Sequence, residues 1–88
     1  MKIEFRERFL KDVRSVKDKR LLARLRESIE SLESADNLLD IQNVKKIRGD
    51  RDYYRIRIGQ YRLGILAEPD KVTLVRFLDR KEIYRYFP

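Results

Sequence analysis

The chain has no cysteine and no histidine, and only three glycines and two prolines among its 88 residues. Without cysteine there is no disulfide and no thiol nucleophile. Without either residue the Cys/His class of zinc site is excluded, and imidazole acid–base catalysis goes with the histidines. No metal and no cofactor are expected. No run of 18 apolar residues occurs, so no membrane-spanning helix is expected. The opening Met1, Lys2, Ile3 and Glu4 lack the apolar segment of a secretory signal. These absences predict a reduced, cytoplasmic protein that makes no membrane contact.

At this length the chain reads as a single domain, 1–88. Folding at this size buries only about 60–65% of the accessible surface, so the core must be compact. An apolar fraction of 42% supports a core despite an equal charged fraction. Charge of one sign dominates: the net charge is +7, which suits a polyanionic partner such as nucleic acid or an acidic protein. The excess is uneven. Residues 1–40 hold 10 Lys/Arg against 9 Asp/Glu, whereas residues 41–88 hold 12 against 6. The balanced front half reads as solvated helix surface and the back half as a binding face.

Residues 2–5 alternate weakly, as a strand does. Phe5, Phe9, Val13 and Val16 then recur at the helical period, and after a charged break at 17–20 so do Leu22, Leu25, Ile29 and Leu32, widened by Leu21. Two amphipathic helices with a short polar turn predict an αα-hairpin. Residues 34–43 are a polar connection with Leu38, Leu39 and Ile41 tucked inward. From 44 the period changes to two, giving a strand over 44–48, a hairpin of 53–58 and 61–66 about Gly59-Gln60, and a strand over 71–78. Residues 80–88 are charged and aromatic and are expected to form one short helical turn. The fold class is therefore α+β, with an N-terminal strand and an αα-hairpin packed on one face of an antiparallel sheet of about four strands. The other face is left free.

A two-residue loop at 59–60 sets Ile58 opposite Tyr61, Ile56 opposite Leu63 and Tyr54 opposite Ile65, all toward the core. On the other face Arg57 stands directly across from Arg62, and Arg55 across from Gly64. Like charges facing each other are unfavourable in a sheet. Three guanidinium groups around a residue with no side chain form a concave cationic spot suited to phosphate, which arginine binds through paired hydrogen bonds. A three-residue turn at 68–70 is expected, setting Leu63 opposite Val75 and Tyr61 opposite Phe77 in the core and Arg76 on the cationic face near Arg62, because a two-residue turn would drive the unpaired Arg76 into the core. Tyr84, Tyr86 and Phe87 bring aromatic rings beside the cations, and a stacked base is worth about 1–3 kcal/mol.

The segments KIRG at 46–49, DYYRIRIGQYRL at 52–63 and FLDRKEIY at 77–84, following an αα-hairpin, resemble the RelE/ParE superfamily of type II toxin–antitoxin toxins across nearly the whole chain. The resemblance to the RelE-like branch implies a ribosome-dependent, metal-independent mRNA endoribonuclease in which a 2′-hydroxyl attacks the adjacent phosphate. It assigns Arg62, Arg80, Tyr84, Arg55 and Arg57 to catalysis. The neighbouring cations Lys46, Arg48, Arg76 and Lys81 are RNA-binding candidates. It further implies a ribosome and mRNA as target, and a cognate acidic antitoxin in a hetero-oligomer with the toxin. The rival readings are a ParE-like DNA gyrase inhibitor and a non-catalytic relative that only binds nucleic acid or a partner. One departure stands out: many relatives carry histidine before the motif's arginine, and here that residue is Asp79. Arginine cannot act as a general base, which leaves Lys46, Asp79, Glu82 and Tyr84 as candidates for that role.

Overall fold

The computed structural model describes residues 1–47, 49 and 52–88, so Arg48 lies outside the described residues. Two helices follow the opening strand: β1 (Lys2–Phe5), α1 (Glu7–Arg14) and α2 (Lys19–Ser34). Asp18 starts α2, its carboxylate accepting from the N–H groups of Arg20 and Leu21. It thereby satisfies donors that a helix start leaves unpaired. The helical segment buries Phe9, Val16, Leu21, Leu25 and Leu32, each large side chain contributing about 1.5–3 kcal/mol. Phe5 departs from the expected stripe because it ends β1, where it is 58% exposed. In the connection, a 3₁₀ turn at Leu38–Asp40 capped by Asn37 buries Leu38 but leaves Leu39 outside, contrary to the expectation that both tuck inward.

Four strands follow: β2 (Val44–Lys46), β3 (Tyr53–Ile58), β4 (Tyr61–Ala67) and β5 (Lys71–Asp79). Among the described residues the sheet has five strands in the order β1-β5-β4-β3-β2. It is mixed rather than purely antiparallel, because β1 runs parallel to β5, with Ile3 opposite Val72 and Phe5 opposite Leu74. The β3–β4 register is the expected one at every expected pair, including Arg57 opposite Arg62 and Arg55 opposite Gly64. The inward residues Ile56, Ile58, Leu63 and Ile65 are buried under the helices.

The β4–β5 turn corrects the sequence reading. Glu68 N–H donates to the Lys71 carbonyl at 2.8 Å, which closes a two-residue turn at Pro69-Asp70 rather than one of three residues. Carried on unbroken, that register would turn Arg76 into the core. A β-bulge between the Ile65–Leu74 and Gly64–Arg76 pairs leaves Val75 unopposed and resets the alternation. Phe77 then meets Leu63 and is 1% exposed, while Arg76 lies opposite Gly64. Arg76 is not part of an open cationic face. Its Nε and Nη2 donate to the two carboxylate oxygens of Asp12 at 2.8 and 3.0 Å, and Phe77 N–H donates to the same carboxylate at 3.0 Å. β1 pairs with β5 only as far as Leu74, so Asp12 of α1 completes the strand edge where β1 stops.

The second sheet face is also not free. Asp79 caps α3 (Arg80–Tyr86), two turns rather than the one expected, and Ile83 and Phe87 bury with Val75 in a second, smaller core. Phe87 N–H bonds back to the Ile83 carbonyl, and its ring stands edge-on to Tyr53 with centroids 5.5 Å apart. The ring covers Gly64: a Cβ there would lie 2.8 Å from three of its carbons. The space left by the missing side chain is filled by an aromatic ring, and the expected hollow does not exist at that point.

Two outcomes follow from this packing. Asp12→Ala strips a bidentate partner from Arg76, whose side chain is only 15% exposed, and is expected to cost about 3 kcal/mol, the low end for breaking a buried pair. Urea unfolding measures it, and a loss under about 1 kcal/mol would mean that water screens the pair. Gly64→Ala is expected to cost about 1–3 kcal/mol by overpacking against Phe87. Adding Phe87→Leu should recover part of that loss, whereas purely additive costs would show that the two residues do not compete for the same space.

Candidate functional site

The sheet face opposite the helices carries Arg55 and Arg57 from β3 and Arg62 from β4. β2 adds Lys45, which stands opposite Arg55. Lys46, the expected contributor, stands one residue on, opposite Tyr54, and pairs with Asp52 at 3.4 Å. Strand alternation therefore puts Lys45 in the site and Lys46 on the other face. Lys45, Arg55, Arg57, Arg62 and Tyr84 line one cleft of about 390 Å³ together with Asn43 and Val44. A neighbouring cleft of about 380 Å³ shares Arg57, Arg62 and Asn43 and is completed by Arg24, Arg80 and the Gly59-Gln60 turn. Lys81, exposed on α3, lines neither.

Each side chain is held by a local cause. Gly59 takes φ +60° at the hairpin turn, where glycine carries no penalty. Arg62 Nη1 donates to the Gly59 and Tyr61 carbonyls at 3.0 and 2.9 Å. These bonds fix the guanidinium over the turn, and among the described residues Nη2 and Nε make no hydrogen bond. Asn43 takes φ +63°, a left-handed conformation that asparagine tolerates. From there its carbonyl accepts from Arg57 N–H at 3.1 Å and its Oδ1 from Arg57 Nη2 at 3.4 Å. α3 sets Tyr84 so that the Arg55 guanidinium lies 4.5 Å from the ring centroid, a cation–π contact that leaves the ring 64% exposed. Arg80 N–H donates to the Gln60 carbonyl at 2.8 Å, which ties the start of α3 to the same turn.

The electrostatics are one-sided. Among the described residues no ion pair involves Arg24, Arg55, Arg57, Arg62 or Arg80. Burial, and after it the cations Arg57, Arg80 and Arg55, hold the Arg62 guanidinium below its ordinary pKa, with Tyr84 acting in the other direction. It stays protonated at neutral pH, so the strain of gathered positive charge remains until an anion enters. The arrangement can bind phosphate groups and set a planar ring beside them. It offers little for proton abstraction. Asp79 spends Oδ1 on the N–H groups of Lys81 and Glu82, which makes the residue in the usual histidine position a helix cap. Of the four candidate bases only Tyr84 lines the cleft.

Sequence reasoning placed Arg55, Arg57 and Arg62 together, and the structure joins Tyr84 and Arg80 to them. It missed Lys45, Asn43 and Arg24. Lys45 would have followed from counting back across β2, but the connection before β3 hides the register. No local signal brings Arg24 of α2 to the turn.

Comparisons with known proteins agree on one family. Residues 3–84 match the family described as ParE toxin of type II toxin-antitoxin system, parDE. The chain is 40% identical over its whole length to Toxin RelE3 of Methanocaldococcus jannaschii, which it covers completely. Its fold is similar to the toxin in the RelB-RelE antitoxin-toxin complex from Methanococcus jannaschii, with a TM-score of 0.81 and 38% identity over 97% of this chain and 99% of that one. The archaeal RelE-RelB complex from Pyrococcus horikoshii gives a TM-score of 0.74 at 23% identity, covering 90% of this chain and 93% of that one.

Proposed function

The chain belongs to the ParE toxin family of type II toxin–antitoxin systems, within the RelE/ParE superfamily, and we propose that this toxin is a ribosome-dependent endoribonuclease acting in the cytoplasm. No described helix is long and apolar enough to cross a membrane. The observation that carries the reading is the row of arginines on one sheet face, without a carboxylate partner among the described residues, beside an exposed tyrosine ring. Phosphate and a stacked nucleotide are the ligand chemistry that such a surface fits.

In this mechanism the 2′-hydroxyl of the nucleotide at Tyr84 attacks the adjacent phosphorus. The bond to the 5′-oxygen of the next nucleotide breaks, leaving a 2′,3′-cyclic phosphate and a 5′-hydroxyl. The attacking hydroxyl gives its proton to a base, and the departing oxygen takes one up. Arg62, with Arg57 opposite it, meets the added negative charge of the pentacoordinate phosphorus, and Arg80 the departing oxygen. Tyr84 holds the attacking nucleotide in line, with Arg55 against its ring. Tyr84 and Lys45 are the groups of the cleft able to exchange a proton, since the arginines are not. Orientation and charge stabilisation thus supply most of the rate, with weak help from a base. The partner of the resting toxin is a cognate acidic antitoxin that neutralises the basic face, in line with the antitoxin-bound forms of its structural relatives.

One pre-organised donor is worth about 3–4 kcal/mol in such a transition state, so Arg62→Ala is expected to slow ribosome-programmed mRNA cleavage by about 10²–10³-fold. Thermal melts check that the fold survives. Tyr84→Phe should retain most of the activity that Tyr84→Ala loses if stacking is its role, and equal losses would assign the work to the hydroxyl. Intact mRNA at saturating wild-type protein would sink the nuclease reading. Inhibited gyrase supercoiling in the same preparation would put the ParE-like activity in its place.

A further inference from the structure

The cleft over the Gly59-Gln60 turn contains one cation that neither the sequence motifs nor the reaction uses. Arg24 sits on the exposed side of α2, in the half of the chain whose charges balance and read as solvated helix surface. Its guanidinium nevertheless lies against the hairpin turn, with Nη1 2.9 Å from where a Gly59 Cβ would stand. It lines one cleft with Arg57, Arg62 and Arg80, and none of the described residues lining that cleft is acidic. Arg24 also lines the next depression along α2 with Glu27 and Asp40, yet among the described residues no ion pair joins either carboxylate to it. Four guanidinium groups from α2, β3, β4 and α3 thus converge on a space of about 380 Å³. One phosphate held by Arg57 and Arg62 leaves Arg24 and Arg80, which line the same space, still cationic and unmatched.

We propose that Arg24 and Arg80 bind a second phosphate of the RNA, the one immediately 3′ of the cleaved linkage. The direction rests on the reaction above. With the attacking nucleotide at Tyr84 and the departing 5′-oxygen toward Arg80, the strand leaves the site through the Arg24 cleft. Arg24 is then a binding residue that holds the leaving segment in line, and it touches no reacting atom.

The test is a cycle between Arg24→Ala and a neutral linkage. Ribosomes are programmed with mRNA carrying one methylphosphonate immediately 3′ of the cleaved bond, and cleavage rates are compared with those on natural mRNA. The neutral linkage should slow wild type about tenfold, and Arg24→Ala should slow cleavage of natural mRNA about as much. The combination should be no slower than either alone, and Arg24→Lys should restore much of the rate, whereas Arg14→Ala, on the exposed side of α1, changes nothing. Effects that multiply, or an Arg24→Ala variant as fast as wild type, would overturn the assignment. Failure of the nuclease reading looks different, since wild type then leaves every mRNA intact. In that case the salt dependence of binding to the same RNA by the free protein decides. Loss of one phosphate contact should make the slope of log K against log salt shallower by about 0.7 in Arg24→Ala, and an unchanged slope would overturn the assignment.

Discussion

Arg57 and Arg62 face each other across neighbouring strands, with Arg55 two residues along β3, and among the described residues no carboxylate pairs with any of them. A sheet left to its own preferences would place opposite charges, or none, at these positions. What holds them there is the other side of the same strands. Ile56, Ile58, Leu63 and Ile65 are each 3% exposed or less, and slipping the register by one residue would turn that whole set outward. The hydrophobic burial of one face thus fixes an unfavourable electrostatic arrangement on the other. Unfavourable arrangements of this kind gather at functional sites.

Two devices keep this face from spreading over the whole sheet. Asp12 takes Arg76 out of the cationic set through a bidentate pair and also accepts the Phe77 N–H at the edge that β1 leaves open. α3, capped by Asp79 and anchored by Phe87 over Gly64, covers the neighbouring part of the face with an apolar cluster. Its anchoring also delivers Tyr84 against Arg55 and Arg80 beside the turn. The residues that stop the patch are thus in the elements that complete the site.

The parts of this design legible in the sequence are those set by short-range pattern. The helical stripes, the change of period at 44 and the two-residue loop at Gly59-Gln60 follow from spacing alone, and with them the Arg57–Arg62 opposition. The parts not legible depend on contacts between distant segments. Nothing in residues 2–5 says that they pair parallel to β5. A bulge at Val75 depends on which helix residue waits at the strand edge, so counting from the turn gave the wrong loop length while placing Arg76 outside the core. Gly64 reads as a gap until Phe87 is seen to fill it. Asp79 looks like a substituted catalytic residue until its two backbone donors identify it as a cap. The family resemblance pointed to the site's arginines and Tyr84, and the structure separated them from Lys46, Arg76 and Lys81.

Under the proposed function, the gathered arginines lower the stability of the free toxin and RNA relieves them. Thermal unfolding of wild type and Arg57→Gln, with and without a short non-cleavable RNA at fixed ionic strength, tests it directly. Removing one of two opposed like charges should stabilise the free protein by about 0.2–1 kcal/mol, raising its midpoint by roughly 1–8 °C, while most of the RNA-induced rise disappears. A variant that melts at or below wild type and is still stabilised by RNA to the same extent would contradict the account.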